Sequence, residues 1–386
     1  MMDTADDYLH IEVQIAQTAK RRGEPCGDLV VSERNEGHTT LLCVDGVGSG
    51  MRARIAAKMC ASRFCTLMQN DFSLRAAFTS LAETMDRWRD PAKPYAAFTA
   101  ARIRNDGVAT SLSYDAPAPI LVGTRQASLL EAKPLQWGKA LVTETQSRLE
   151  PGEGLLLLSD GITQAGIGGE SAHGWGPEGV VRFVNHSLLL GHQVQDLPRL
   201  VHREALRLWR TAGDDCTAAV AYCRSGNVVS LFTGPPADER QDGQAVRQFM
   251  ELPGTKVVCG GTTADLVARW LGERVRLEQD PISMVAPPRY EIPGIDLVTE
   301  GAVTLNQTFN LLDTDESQLR ESSGVTELRS LLRAADCIHI LYGVARNSAM
   351  DMVSFRQQGI LPRDQILPRL VDKLRAAGKL VTIQHV

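Results

Sequence analysis

Four aspartates stand at the ends of apolar runs that lie far apart in the sequence. One follows the run at residues 41–44, another follows the run at 155–159, and the other two each precede such a run. A carboxylate at the end of a buried strand loses hydration, which costs free energy unless a cation compensates it. These residues therefore indicate a shared site for a hard metal ion with oxygen ligands. They are Asp28, Asp45, Asp160 and Asp214.

Length and charge exclude several classes of protein. The 386 residues favour two domains, and the net charge of -5 gives no basic surface for nucleic acid or anionic membranes. The acidic start lacks the apolar core of a signal peptide, and no run reaches the ~20 apolar residues of a membrane span. We therefore expect a cytoplasmic protein without nucleic-acid or membrane partners. The eight cysteines contain no Cys-x-x-Cys pair, so buried reduced thiols are favoured over zinc ligands or disulfides.

Residues 1–225 show strand patterns with helices inserted in pairs. Ile11, Val13 and Ile15 alternate with polar residues, and further strand-like runs follow up to residue 44. Helical periodicity predicts one helix over residues 51–69 and a second from Ser73 to Trp88. Strands return over 95–159, two helices cover 177–190 and 196–211, and a strand covers 216–223. Hairpin signals such as Asp106-Gly107 favour an α+β fold, with antiparallel sheets flanked by helices.

Residues 226–386 show a different pattern, in which short apolar strands alternate with helices. Strands are predicted at 228–232, 256–259, 295–298, 337–342 and 380–383, with helices between most of them. This alternation is typical of a smaller α/β domain with a mainly parallel sheet covered on both faces. We therefore place a domain boundary near residue 225.

The segment Asp45-Gly46-Val47-Gly48-Ser49-Gly50 joins a strand to a helix. The carboxylate can bridge two cations, and the glycine after it lets the backbone carbonyl approach as a further ligand. Taken alone, an Asp-Gly pair followed by spaced glycines is equally consistent with an ordinary turn.

The ordered set of motifs is more specific than any one of them. Gly27-Asp28, residues 45–50, residues 157–163 and Asp214-Asp215-Cys216-Thr217 occur in this order. Over residues 8–223 this arrangement resembles the protein phosphatase 2C superfamily, and within it the bacterial branch typified by the stage II sporulation phosphatase E. The resemblance implies a phosphatase 2C-like antiparallel β-sandwich and a metal-dependent serine/threonine protein phosphatase that acts on a phosphorylated signalling protein.

The resemblance also implies two Mn²⁺ or Mg²⁺ ions held by the acidic motifs. Asp45 would bridge both ions, the Gly46 carbonyl would bind one, and Asp160 and Asp214 would complete the second. Asp28 would hold metal-bound water as an outer ligand, which makes the four aspartates the catalytic set. Asp215 is the weaker ligand candidate, because a turn or cap position explains it better. Two such cations activate a water and neutralise charge on the phosphoryl oxygens.

Some features depart from the family pattern. A Gly-His pair is common in the middle of the domain, and this chain has Tyr114-Asp115-Ala116-Pro117 there. The phosphate-binding arginine of animal relatives has no secure match, and Arg21, Arg22 and Arg34 remain candidates. None of the histidines fits the motifs as a general acid. The nearest in sequence, His10, His38 and His173, are interpreted as surface residues.

The second section contains one loop with the character of an anion-binding site. Gly260, Gly261, Thr262 and Thr263 join a predicted strand to a helix, where exposed amides suit a phosphate or carboxylate. A tight turn with a threonine cap is the alternative. We hypothesise a regulatory domain for a small-molecule ligand. A different reading of the whole chain is a catalytically inactive, phosphatase-like binding scaffold with a metabolite-sensing second domain.

Overall fold

The computed structural model describes residues 8–87, 95–137, 140–168, 172–209, 213–277, 289–315, 323–345 and 359–386. These residues form two compact units. The first unit is Leu9–Ser225, and the second contains Gly226–Val386 together with Tyr8. No helix of the described ranges is long and apolar enough to cross a membrane.

Strands make up most of the first unit. They are β1 Leu9–Thr18, β2 Leu29–Arg34, β3 His38–Gly46, β4 Ala96–Arg104, β5 Val108–Tyr114, β6 Ile120–Val122, β7 Ala127–Leu129, β8 Lys133–Trp137, β9 Ala140–Arg148, β10 Gly154–Leu158 and β11 Cys216–Ser225. The helices are α1 Gly50–Gln69, α2 Leu74–Arg87, α3 Asp160–Thr163, α4 Gly176–Leu189 and α5 Leu197–Trp209.

The strands of the first unit form two antiparallel sheets. One has the order β2-β3-β4-β5-β9-β8, and the other has the order β1-β11-β10-β6-β7. Apolar side chains from both sheets meet in a shared core that includes Ile11, Leu41, Ile103 and Leu155. Helices α1 and α2 pack on the first sheet, and α4 and α5 pack on the second. The predicted α+β sandwich with flanking helices is therefore confirmed.

Helix α1 lies unusually close to the strand that precedes it. Its residues Ala57, Cys60 and Phe64 follow helical spacing and pack into the core beneath the helix. A Cβ atom at Gly46 would lie 2.0 Å from the carbonyl oxygen of Ala53. Only glycine allows this approach, so the end of β3 and the first turns of α1 are held together.

The second unit alternates strands and helices. Its strands are β12 Val228–Thr233, β13 Thr255–Cys259, β14 Arg276–Leu277, β15 Arg289–Glu291, β16 Leu297–Thr299, β17 Cys337–Tyr342 and β18 Leu380–His385. Its helices are α6 Asp242–Glu251, α7 Gly261–Leu271, α8 Ala302–Leu311, α9 Gly324–Ala334 and α10 Arg363–Ala376.

One mixed sheet organises the second unit, in the order β14-β15-β16-β13-β12-β17-β18. The strands from β16 to β18 pair in parallel, whereas β14 and β15 pair antiparallel. Separate apolar clusters cover the two faces. The predicted α/β domain with a mainly parallel sheet is confirmed.

The structure also contains elements for which the sequence analysis made no prediction. Helix α9 is the longest of them, and Ser323 and Thr326 form a capping box at its start. Val325, Leu328 and Leu332 follow helical spacing on its buried face. Strand β16 is also displaced from the predicted range 295–298 to Leu297–Thr299.

Candidate metal centre

The fold brings the four motif aspartates to one end of the first unit. Asp28 precedes β2, whose first residue, Leu29, pairs with Val44 next to Asp45. Asp160 follows β10, and Asp214 precedes β11, which pairs with β10 in the adjacent sheet. The backbone N–H of Ser159 donates to the Thr217 carbonyl at 2.9 Å, which continues this pairing towards both aspartates.

Asp28 is the most deeply buried of these residues. Its side chain is 0% exposed, and neither carboxylate oxygen has a hydrogen-bond partner. Burial raises the pKa of Asp28 to about 6, and the charges of Asp215 and Asp160 contribute to the rise. The hydroxyls of Thr217 and Ser159 lie near enough to oppose it partly, although neither reaches hydrogen-bonding geometry. A carboxylate in this state favours a cation nearby.

Asp45 and Asp160 face each other across the two sheets. They line the same small cavity, together with residues 115–117. Burial raises the pKa of Asp45 well above its ordinary value, and the charges of Asp28 and Asp160 raise it further. Asp160 accepts a hydrogen bond from Gln164 Nε2 at 2.8 Å, so its carboxylate is only partly satisfied within the protein.

Asp214 lies at the outer edge of the group. Burial raises its pKa, and the charges of Asp160 and Asp215 act in the same direction. Lys20 opposes this shift, with Nζ 3.6 Å from Asp214 Oδ1. A Cβ atom at Gly161 would lie 1.9 Å from the Asp215 carbonyl oxygen, so this glycine lets α3 approach the start of β11.

The Gly46 carbonyl faces the segment that carries Asp28. A Cβ atom on Gly27 would lie 3.3 Å from the Gly46 carbonyl oxygen. This oxygen therefore lies beside the buried carboxylates, where the sequence analysis expects a backbone ligand. Its role as a ligand remains a prediction.

Asp215 differs from the other aspartates because both of its oxygens are used. Oδ1 accepts from the Lys20 backbone N–H at 2.7 Å, and Oδ2 accepts from the Gly27 N–H at 3.0 Å. The side chain is buried, so these bonds replace its lost hydration. They favour a structural role over the weaker ligand role considered from the sequence.

The sequence analysis did not identify Asp115 as a site residue. Its backbone has φ of 50°, which is uncommon for any residue except glycine, and the Tyr95 hydroxyl donates to its carboxylate. It lines the same cavity as Asp45 and Asp160. The altered Gly-His stretch was the available signal, since an aspartate there adds a carboxylate at a strand end.

The candidate arginines separate into two groups. Arg34 lies at the opposite end of β2 from Asp28, about 20 Å along the strand, and donates to the Ile11 carbonyl at 2.5 Å. This location removes it from the candidate centre. Arg21 and Arg22 instead line a cavity with Asp214.

The histidine interpretation needs one correction. His10 is buried with 7% exposure, because it lies in β1 against Arg34, and is therefore not a surface residue. It stands at the Leu9 end of β1, whereas Thr18 at the other end pairs with Cys216 beside the acidic group.

The donor chemistry of this region fits the implied metal ions. The aspartates and the Gly46 carbonyl supply only oxygen donors, which Mn²⁺ and Mg²⁺ prefer. The uncompensated Asp28 carboxylate is a direct sign of fit, because a nearby cation would offset its burial. Among the described residues, no three Cys, His, Asp or Glu side chains stand close enough to form a complete coordination group.

In the second unit, the glycine-rich loop joins β13 to α7 as the sequence predicted. Gly260 is the N-cap residue, and no side chain caps the helix, so the threonine cap considered as the alternative is wrong. The Thr263 hydroxyl is buried and accepts from the Gly234 N–H at 2.9 Å, which explains why it does not cap. Gly261 and Thr262 are exposed. Anion binding at this loop remains a prediction.

Comparison with known proteins gives a family match over the first unit. The family model described as Stage II sporulation protein E (SpoIIE) matches residues 35–224. No protein of curated function matches the chain.

Several solved structures are also similar. The RsbU and RsbW domains of a Mycobacterium tuberculosis protein are 15% identical, with 64% of this chain and 69% of that chain covered and a TM-score of 0.48. The phosphatase domain of SpoIIE from Bacillus subtilis is 17% identical, with 57% and 94% covered and a TM-score of 0.43. The S. agalactiae serine/threonine phosphatase is 15% identical, with 55% and 99% covered and a TM-score of 0.40.

The ordered acidic motifs, the antiparallel sandwich and the family match agree with one another over the same residues. Residues 35–224 of the first unit therefore form a Stage II sporulation protein E family domain, as the resemblance to this branch of the protein phosphatase 2C superfamily predicted from the sequence.

Proposed function

We propose that the chain is a Mn²⁺- or Mg²⁺-dependent phosphatase that hydrolyses phosphoserine or phosphothreonine on a signalling protein. Membership of the phosphatase 2C superfamily supports the reaction class. The residues of the first unit support the metal dependence. The identity of the phosphoprotein is left open, because no described residue selects one sequence.

The observation that carries this proposal is the state of Asp28. Its carboxylate is fully buried, has no hydrogen-bond donor and lies near Asp45 and Asp160. An inactive scaffold gains nothing from this arrangement, because a buried charge without compensation lowers stability. A site that binds cations explains why the charges are kept together.

The residues of the candidate metal centre would have different roles according to their positions. Asp45, Asp160, Asp214 and the Gly46 carbonyl would hold the ions, and Asp28 would orient a water through its free oxygens. When bound, divalent ions supply charge neutralisation for the phosphoryl group and lower the pKa of water. Asp215 would act through the backbone that it holds, and not as a ligand.

The test is hydrolysis of p-nitrophenyl phosphate and of a phosphoserine peptide in the presence of Mn²⁺. We expect Asp45→Ala and Asp160→Ala each to lower kcat/KM by about 100-fold or more, because preorganised electrostatic stabilisation is lost. Asp196→Ala is a matched control, since Asp196 forms only an exposed pair with Arg199 at 3.5 Å.

Two outcomes would contradict the proposal. One is a wild-type rate that does not depend on Mn²⁺ or Mg²⁺. The other is an equal rate in the wild type and in Asp45→Ala, which would favour the phosphatase-like binding scaffold. Folding of each variant is checked by circular dichroism, so that a loss of rate is not confused with a loss of structure.

A further inference from the structure

A cavity of about 550 Å³ lies beside Asp214 in the first unit. One wall is the segment 18–23, which includes the cations Lys20, Arg21 and Arg22. The other wall contains Leu206 and Trp209 together with residues 213–214. The volume is within the range of cavities that bind small molecules or peptide side chains. The cavity therefore combines a basic wall and an apolar wall next to a candidate ligand of the metal.

The basic wall belongs to a loop whose two ends are held by hydrogen bonds to a single side chain. We call residues 20–27 the basic loop. Asp215 accepts hydrogen bonds from both of its ends, from the Lys20 N–H at 2.7 Å and from the Gly27 N–H at 3.0 Å. The same carboxylate thus fixes the start and the end of the basic loop against β11. This explains why a buried aspartate follows Asp214 without serving as a ligand.

The charge of the basic loop is only partly neutralised. Lys20 is paired with Asp214, and Arg21 forms an exposed contact with Glu24 at 3.4 Å. Within the described residues, Arg22 has neither a hydrogen bond nor an ion pair. The loop is therefore a local source of positive charge on a chain whose net charge is -5.

The apolar wall is held in place without a ligand. Trp209 Nε1 donates to the Gly161 carbonyl at 2.8 Å. A Cβ atom at Gly213 would lie 1.9 Å from the Trp209 ring, so this glycine packs directly against the indole. Leu206 is 42% exposed on the same side. A rigid, partly exposed aromatic surface is well suited to bind an apolar side chain.

We propose that this cavity docks the segment of the substrate next to the phosphorylated residue. An acidic side chain of that segment lies against Arg21 and Arg22, and an apolar side chain lies against Trp209 and Leu206. Asp215 is the positioning residue that fixes the basic loop for this contact. The inference rests on the proposed function and adds a substrate class to it, namely phosphoproteins with acidic and apolar residues beside the phosphorylated site.

The experiment compares two phosphoserine peptides of equal length, one with glutamate and leucine neighbours and one with serine and alanine neighbours. In the Arg21→Ala/Arg22→Ala variant, we expect KM for the acidic peptide to rise about threefold to tenfold more than KM for the neutral peptide. The change in kcat should be smaller than the change in KM. Added salt should reduce the difference between the peptides.

The matched control removes the same charge at the opposite end of the sandwich. Arg104→Ala/Arg148→Ala deletes two arginines that form only exposed pairs with Asp106 and Glu150. This control should preserve the preference for the acidic peptide. A loss of preference in the control as well would show a general charge effect and overturn the proposal.

Asp215→Asn tests the positioning role. The asparagine amide can accept one of the two backbone hydrogen bonds and cannot accept both, so the basic loop should loosen. As in the arginine variant, we expect KM for the acidic peptide to rise more than KM for the neutral peptide. A fall in kcat for both peptides by the factor seen in Asp214→Asn would instead identify Asp215 as a metal ligand and overturn the positioning role.

A binding measurement separates this inference from the proposed function. Fluorescence anisotropy of the labelled acidic peptide, in phosphorylated and unphosphorylated forms, reports docking without turnover. Arginine-dependent binding of both forms with no hydrolysis would sustain the docking surface and contradict the phosphatase. If the arginines affect only the phosphorylated form, and equally for acidic and neutral neighbours, they contact the phosphoryl group and the proposed substrate class is wrong.

Discussion

The two units differ in how the buried polar side chains near their strand ends are compensated. In the first unit, Asp28 and Asp45 bring charge into a buried region where neighbouring groups compensate it only in part. In the second unit, the end of β12 and the first turn of α7 carry hydroxyls with partners of their own. Thr233 Oγ1 donates to the Cys259 carbonyl at 3.0 Å, and Thr263 Oγ1 accepts from the Gly234 N–H. Unmet polar groups indicate a ligand, whereas satisfied ones indicate structure.

The same contrast appears within the first unit between two aspartates. Both Asp28 and Asp215 are buried. Asp28 has no donor, and Asp215 has two backbone donors. Residue type and burial therefore do not assign a role. The count of internal hydrogen-bond donors separates Asp28, near which we propose a cation, from Asp215, which holds a loop.

Metal addition should give the largest difference between the units. At about one hundred times its dissociation constant, a bound ion adds about 2.7 kcal/mol to the free energy of unfolding. We expect Mn²⁺ added after chelation to increase hydrogen-exchange protection around β3 and β10, and not around β13. Asp45→Asn should abolish the increase. Equal protection in both units, or a full response in Asp45→Asn, would break the comparison.

The sequence predicted much of the fold because its signals are local. The period of the apolar residues distinguished the antiparallel unit from the alternating one. The ordered aspartates marked strand ends that the sandwich brings together. These features depend on neighbours in sequence and on general packing rules.

The missing parts depend on long-range contacts. Asp215 is separated from Lys20 and Gly27 by almost the whole sequence of the first unit. Only the folded chain therefore shows that its oxygens accept hydrogen bonds from them. Asp115 joins the site because the turn after β5 adopts positive φ. The Thr263 hydroxyl bonds to a loop rather than to its own helix. Periodicity and motif order contain none of this information.

Asp28→Asn should stabilise the protein in the presence of a chelator. Burial raises the pKa of Asp28 to about 6, so the folded state binds this proton more tightly than the unfolded state does. The free energy of unfolding of the wild type therefore falls as pH rises from the unfolded value through the folded value. We expect a gain of about 1–3 kcal/mol above about pH 7 and almost none near about pH 4.

The measurement is urea unfolding followed by tryptophan fluorescence across this pH range. Asp215→Asn is the contrasting variant, because it removes an acceptor from buried backbone donors. It should lose about 1–2 kcal/mol at neutral pH. A loss of stability in both variants would show that Asp28 is satisfied in solution, and it would remove the main support for a cation at this position.

Thr263→Val tests the satisfied hydroxyl at the start of α7 in the second unit. The valine has a similar shape but leaves the Gly234 N–H without its acceptor, which should cost about 1–2 kcal/mol. Hydrogen exchange of the peptides covering β12 and α7 reports this loss. Thr262→Val is the control, since Thr262 is exposed at the adjacent position. Equal effects of the two substitutions would argue that the hydroxyl contributes little to the unit.

Glu300, which follows a strand of the second unit, is an exception to this pattern and should give the smallest effect. It follows β16, and its Oε2 is shielded from solvent without a hydrogen-bond partner. Burial raises its pKa, but the residue is partly exposed, so Glu300→Gln should increase stability by less than about 1 kcal/mol at neutral pH. Hydrogen exchange around β16 measures the gain, with Glu291→Gln as an exposed control. One outcome would contradict the contrast between the strand ends. It is a Mn²⁺-dependent increase in protection around β16 that persists in Asp45→Asn and is lost in Glu300→Gln. This result would show that the second unit also holds a cation.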